Sequence, residues 1–153
     1  LGYEASIDRF STEDQALAVI KTQNKHIIID AMGCCLFATM EVPLNIILKT
    51  FSAVTGIDIG LEEALKVGDR VVNLRRVFNI MNGIIPDDND VLPKRLTHEA
   101  KSYGGAKDKV IDLKPMLEEY YELREWDKGV PKIELLKSLG LYDIAQDFDE
   151  YNK

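Results

Sequence analysis

His26-Ile27-Ile28-Ile29-Asp30-Ala31-Met32-Gly33-Cys34-Cys35 holds both cysteines of the chain and sets an aspartate directly behind three isoleucines. Consecutive β-branched residues favour burial and an extended backbone, so residues 27–29 read as a short buried strand. Asp30 is thereby carried to the edge of a core, where an ionised carboxylate needs donors or water. Gly33 permits a turn or a close backbone approach that a side chain would block, and two thiols follow at once. The pattern Asp-x-x-Gly-x-Cys supports two readings. In one, Asp30 caps the next segment and the cysteines fill core space as small hydrophobes. In the other, a carboxylate and a thiolate are presented to a ligand. A bridge between the neighbours is disfavoured, since adjacent Cα atoms stand about 3.8 Å apart and relaxed disulfides need roughly 4.4–6.8 Å. The sulfurs read as free or metal-bound, and an iron–sulfur cluster could draw at most half of its usual cysteine ligands from this chain.

Upstream, Ser11-Thr12-Glu13-Asp14 reads as the cap of a helix carrying Ala16, Leu17, Val19 and Ile20 and ending near Gln23-Asn24. Downstream, Pro43 stands in the first turn of a helix with Leu44, Ile47, Leu48 and Phe51, stopped by Gly56. Leu61-Glu62-Glu63 opens a longer helix in which Leu65, Val72 and Phe78 share a buried face, with Gly83 as its stop. Arg70, Asn73, Arg75, Arg76 and Asn79 along it read as a solvated face, the other reading being contacts to carbonyls or a partner. Residues 84–93 read as a loop, and their aspartates lack the glycine and late glutamate of an EF-hand calcium site. A helix from Asp112 bears Leu113, Met116, Leu117, Tyr120 and Tyr121, with Trp126 closing it against the core. Pro131 starts a short helix ended by Gly140, and residues 141–151 read as an acidic terminal helix. The expected fold is all-α, an irregular array of about six or seven helices in one domain spanning residues 1–153.

With 153 residues, 46% apolar and 29% charged, the chain can bury one sizeable core. A net charge of -7 argues against nucleic acid or an anionic membrane surface as partner, Arg70, Arg75 and Arg76 making only a local positive patch. Leu1-Gly2-Tyr3-Glu4 shows no targeting pattern, and no run approaches the roughly 20 apolar residues of a membrane span. The chain reads as a piece of a longer soluble protein. Adjacent cysteines make no extracellular disulfide framework, which points to a reducing cytoplasm. His26 and His98 read as surface or satisfied core residues.

Several phrases in order carry a family resemblance: residues 30–35; Gly68-Asp69-Arg70-Val71-Val72-Asn73-Leu74-Arg75-Arg76-Val77-Phe78-Asn79; Asp87-Asp88 followed by Leu92-Pro93-Lys94-Arg95; Tyr120-Tyr121-Glu122-Leu123-Arg124-Glu125-Trp126-Asp127; and Leu139-Gly140-Leu141. Over most of residues 30–141 the sequence resembles the C-terminal helical region of the tungsten-containing aldehyde ferredoxin oxidoreductases. The resemblance implies tungsten, or less often molybdenum, held by two pterin dithiolenes (a molybdopterin-type cofactor). It also implies a [4Fe-4S] cluster passing electrons to ferredoxin, and an aldehyde substrate oxidised to a carboxylic acid. It implies that Asp30 binds a pterin, that Cys35 is the fourth cluster ligand, and that Gly33 and Cys34 lie beside the cofactor. The other three cluster cysteines and the catalytic acid–base residues belong to missing N-terminal domains. No catalytic residue, no bound cofactor and no activity are therefore expected of this piece alone, and a homodimer is a further expected partner.

Elementary chemistry fits both roles: a carboxylate can accept a pair of parallel N–H donors, and thiolate is the usual ligand of cluster iron. Three positions depart from the family pattern. Cys34 stands where a larger apolar residue is usual, Met81 where arginine is common, and Glu125 where a glycine precedes Trp126. Two further readings remain: a non-catalytic helical interaction module docking a partner through residues 70–76, and a thiol switch at Cys34-Cys35. An exposed apolar face around residues 30–40 is expected where another domain would cover it.

Overall fold

The computed structural model describes Asp8 and residues 10–153, the side chain of Asp87 excepted. Residues 1–4, read above for a targeting pattern, and the Asp87 carboxylate of the acidic loop lie outside the described residues. Among the described residues the elements run α1 (Gln15–Ala31), α2 (Leu36–Thr39), α3 (Leu44–Thr55), α4 (Leu61–Met81), α5 (Pro86–Asn89), α6 (Lys94–Thr97), α7 (Leu113–Leu123), β1 (Trp126–Asp127), β2 (Val130–Pro131), α8 (Ile133–Ser138) and α9 (Tyr142–Tyr151). The architecture is the expected irregular all-α array, with more helices because α2, α5 and α6 are single turns in the connections. The only strands among the described residues, β1 and β2, form a two-residue antiparallel hairpin that pairs Trp126 with Pro131.

The isoleucine run is not a strand. α1 continues through it to Ala31, and Gln23-Asn24, read as its end, lies in mid-helix. Ala16, Asn24 and Ile28 are buried at multiples of four residues, with Ile29 fully buried beside them. A short apolar run has the same composition in a buried strand and a buried helix turn, and here the four-residue repeat decides. The expected cap at residues 11–14 also differs: Asp14 caps α1 from the left-handed region with no side-chain bond.

α4 is the spine, 21 residues or about 31 Å long. The single core expected from composition is divided into two clusters, one toward each end of it. Ile28, Ile29, Leu44, Ile47 and Leu48 gather around Ala64 at its start, and Leu136, Ala145 and Phe148 around Val77 near its end. Phe78, expected in the buried face, is 64% exposed. The division follows from α4's own sequence, because Asp69, Arg70 and Asn73 interpose polar groups between its apolar ends.

That middle band is fully hydrogen-bonded. Asn24 Nδ2 donates to Asp69 Oδ1 at 2.7 Å and to the Leu65 carbonyl at 3.3 Å. Its Oδ1 accepts from Nη1 and Nη2 of Arg124 at 3.2 Å each. Arg124 Nη1 also donates to Asp69 at 2.6 Å, and Nη2 to Gln23 Oε1 at 2.9 Å. α1, α4 and the end of α7 are thus tied at one point. Trp126 is buried and donates its indole N–H to Asn73 Oδ1 at 2.8 Å. Gly68 lets α1 approach this closely: a Cβ there would lie 2.8 Å from Asn24 Cβ and 2.9 Å from its Cα.

Two stability outcomes follow from these contacts. Arg124→Met leaves Asp69 and Asn24 without their cation and should lower the unfolding free energy by about 3 kcal/mol, read as a fall in the urea midpoint. Glu125 has φ 55°, in the left-handed region that favours glycine, and an exposed side chain. Glu125→Gly should therefore raise stability by up to about 1 kcal/mol; a loss would show that its side chain makes a stabilising contact.

Candidate functional site

α1 ends in a Schellman turn that fixes where Asp30 and both cysteines lie. Cys34 N–H bonds the Ile29 carbonyl at 3.1 Å and Gly33 N–H that of Asp30 at 3.0 Å, with Gly33 at φ 70°. Ile29 points into the core while Asp30, Cys34 and Cys35 are exposed. The cysteines are free thiols and do not fill core space. Cys35 stands at the N-cap of α2, and no side chain caps that helix, so Asp30 is not a cap. Phe37, 84% exposed, and Met40, 48% exposed, give this end of the molecule the expected apolar surface.

Asp30 sits in the last turn of α1, where the helix dipole is negative and a carboxylate is disfavoured. Its side chain has no hydrogen-bond or ion-pair partner among the described residues. The charge thus costs stability where it stands. Asp30→Asn should raise the unfolding free energy by about 0.3–1 kcal/mol, and a loss of stability would show that the carboxylate serves the fold.

Asp30 opens onto a groove of about 320 Å³ between two helices. One wall is Gln23, His26, Ile27 and Asp30 of α1; the other is Val72, Arg75, Arg76 and Asn79 of α4, and Trp126 also lines it. Both walls repeat at helical spacing, so each is a single stripe of its helix.

Two arginines of α4, Arg70 and Arg76, are engaged within the chain and not simply solvated, whereas Arg75 and Asn79 are exposed as the sequence suggested. Arg70 Nε donates to the Leu139 carbonyl at 2.7 Å and Nη2 to Glu63 at 3.2 Å. Arg76 Nε donates to the Gly129 carbonyl at 2.7 Å, and its two Nη atoms form a fork with Asp90. Tyr121 donates its hydroxyl to Asp90 at 2.5 Å, and the Arg76 guanidinium lies 5.0 Å from the Trp126 ring centroid. The segment around Asp90, read as loop, contains the single turn α5 and is anchored here. Neither Asn24 nor Arg124 was singled out from sequence, although the spacing from Ala16 through Asn24 to Ile28 was a readable signal that Asn24 faces inward.

Burial alone would raise the Asp90 pKa, but the hydrogen bonds from Arg76 and Tyr121 hold it below the usual carboxylate range. Burial also opposes the charge on Arg76, and its bond to Asp90 carries its pKa above the ordinary value. Burial and the neighbouring carboxylate push the Tyr121 phenol well up. A depressed Asp90 contributes stability that is present above its unfolded pKa of about 3.9 and is lost as pH falls through its lower folded value. Asp90→Asn should cost about 1–3 kcal/mol at neutral pH and flatten the fall in stability below about pH 4. An unchanged acid limb would show that Asp90 is not the group titrating there.

Among the described residues no group of three or more histidine, cysteine or acidic side chains is placed to hold a metal ion. No described helix is long and apolar enough to cross a membrane. The described residues thus form an all-α segment carrying an exposed Asp-x-x-Gly-x-Cys turn. The chain belongs to the aldehyde ferredoxin oxidoreductase family: the family model described as aldehyde ferredoxin oxidoreductase, domains 2 and 3, matches residues 2–141. Curated relatives named tungsten-containing aldehyde ferredoxin oxidoreductase are 40% identical in Pyrococcus abyssi, 38% in Pyrococcus horikoshii and 36% in Pyrococcus furiosus, each over 147 residues. These alignments cover 94% of this chain and 24% of each relative, so the chain spans about a quarter of their length.

Proposed function

We propose that this chain is the C-terminal helical part of a cytoplasmic enzyme that oxidises an aldehyde with water to a carboxylic acid, two electrons and two protons, the electrons leaving through a [4Fe-4S] cluster to ferredoxin. Its contributions are one cluster thiolate, Cys35, and one pterin-binding carboxylate, Asp30. The observation that carries the reading is the α1–α2 turn, which exposes an unpartnered carboxylate and free thiols in a member of this family.

The residues fit such groups. Cys35 can be approached from outside, and its single thiolate leaves three of the usual cluster ligands to be supplied by other parts of the protein. Asp30 can accept two parallel N–H bonds from the guanidine-like edge of a pterin. A Cβ built on Gly33 meets nothing within 4 Å, so the backbone between the carboxylate and the thiols is open to a close neighbour. When bound, the tungsten or molybdenum pterin supplies the two-electron oxidation of the aldehyde. This chain holds and orients, while Phe37 and Met40 help exclude water once covered. By itself it has no activity.

The interaction-module reading is weakened by Arg70 and Arg76, whose guanidinium groups are engaged within the chain. The test is Cys35→Ser in the full-length parent, compared with the unaltered protein. Iron content, the cluster's electron paramagnetic resonance signal and aldehyde-dependent dye reduction should all fall. Unchanged iron and activity would remove Cys35 from the site.

A further inference from the structure

The polar side chains lining the α1–α4 groove divide into two sets. One set is engaged: Gln23 with Arg124 and Tyr120, Arg76 with Asp90 and Gly129, and Trp126 with Asn73. The side chains of His26, Asp30, Arg75 and Asn79 have no hydrogen-bond or ion-pair partner among the described residues, although all four line the same groove. Asp30 and Arg75 carry opposite charges on opposite walls and do not form a salt bridge. A fold arranged for stability alone has no need of a charge at the wrong end of a helix facing an unattached guanidinium.

We propose that Arg75 and Asn79 are the other half of a heterocycle-binding site whose first half is Asp30. The ligand class is a 2-amino-4-oxo-pteridine, and the inference rests on reading Asp30 as a pterin residue. The edge of such a ring presents two N–H donors followed by a carbonyl acceptor. A carboxylate satisfies the donors but repels the carbonyl oxygen beside them, and an acceptor taken from water without a new donor loses binding energy. The donors must come from a second element. Arg75 and Asn79, one helical turn apart on the facing wall, can supply them, and the guanidinium also offsets the Asp30 charge inside the groove.

The test uses the full-length protein carrying Arg75→Ala, Asn79→Ala, Arg75→Lys or Asp30→Asn. Pterin retained after gel filtration is measured as its fluorescent oxidation product, with iron measured on the same samples. Arg75 and Asn79 are exposed, so their substitution leaves the fold in place. Arg75→Ala and Asn79→Ala should each weaken pterin retention, by up to about tenfold for one lost charge-assisted bond, with iron unchanged and Arg75→Lys retaining more than Arg75→Ala. Pterin lowered by Asp30→Asn but not by the Arg75 and Asn79 variants overturns this inference and leaves the Asp30 reading standing. Pterin unchanged in all of them overturns both. Iron falling in parallel with pterin would mark a general loss of structure and count against a role for Arg75 and Asn79 in the groove.

Discussion

The bond network from Arg124 to Asp69 and Asn24 is the constraint on which the rest of the structure depends. The Arg124 side chain is 2% exposed, and a guanidinium taken that far from water is tolerated only when its donors are met. Here they are met by four acceptor side chains, Gln23 and Asn24 on α1, Asp69 on α4 and Tyr120 on α7. A satisfied polar cluster specifies geometry more tightly than an apolar contact does, since a shift that an apolar contact absorbs by sliding leaves a buried donor unpaired. Asn24 cannot turn about the α1 axis without breaking its bonds on both sides. The rotation of α1 is thereby set, and with it the direction in which Asp30, six residues on, faces.

From that one orientation the site follows by short steps. Gly68 brings the two helices close, the polar band separates two apolar clusters, and Ile28 and Ile29 lock the end of α1 into the first of them. The Schellman turn then throws Cys34 and Cys35 outward at a fixed offset from Asp30. Asp30 is the clearest sign that this end is shaped by something other than folding, since its charge opposes the helix dipole and has no hydrogen-bond or ion-pair partner among the described residues. Glu125 in the left-handed region is a second local conflict, with no counterpart at the groove. Conflicts of the first kind are expected where stability is given up for binding.

Local chemistry was the legible part of the fold. Gly56, Gly83 and Gly140 mark helix ends because a left-handed residue is a nearest-neighbour requirement, visible without knowledge of what packs where. The isoleucine run was misread because burial on a strand and burial on a helix leave the same trace over three residues. Only the longer repeat through Ala16, Asn24 and Ile28 separates them, and its middle member is an asparagine whose partners are 41 to 100 residues away. Arg70 and Arg76 were misread for the same reason: the carbonyls of Leu139 and Gly129 that hold them belong to the far end of the chain. At the site the residue types and their spacing were legible. Their exposure, and the shared groove with Arg75 and Asn79, required the helix pairing to be known.

The central claim is that the network at Arg124 holds the α1–α2 turn in place from a distance. Amide hydrogen exchange in Arg124→Met, set beside the unaltered chain under conditions where both are folded, tests it most directly. The account predicts lost protection at the amides of Met32, Gly33 and Cys34 as well as around residues 120–126. Protection unchanged at the turn, with exchange increased only next to residue 124, would contradict it and leave the turn supported by the isoleucine cluster alone.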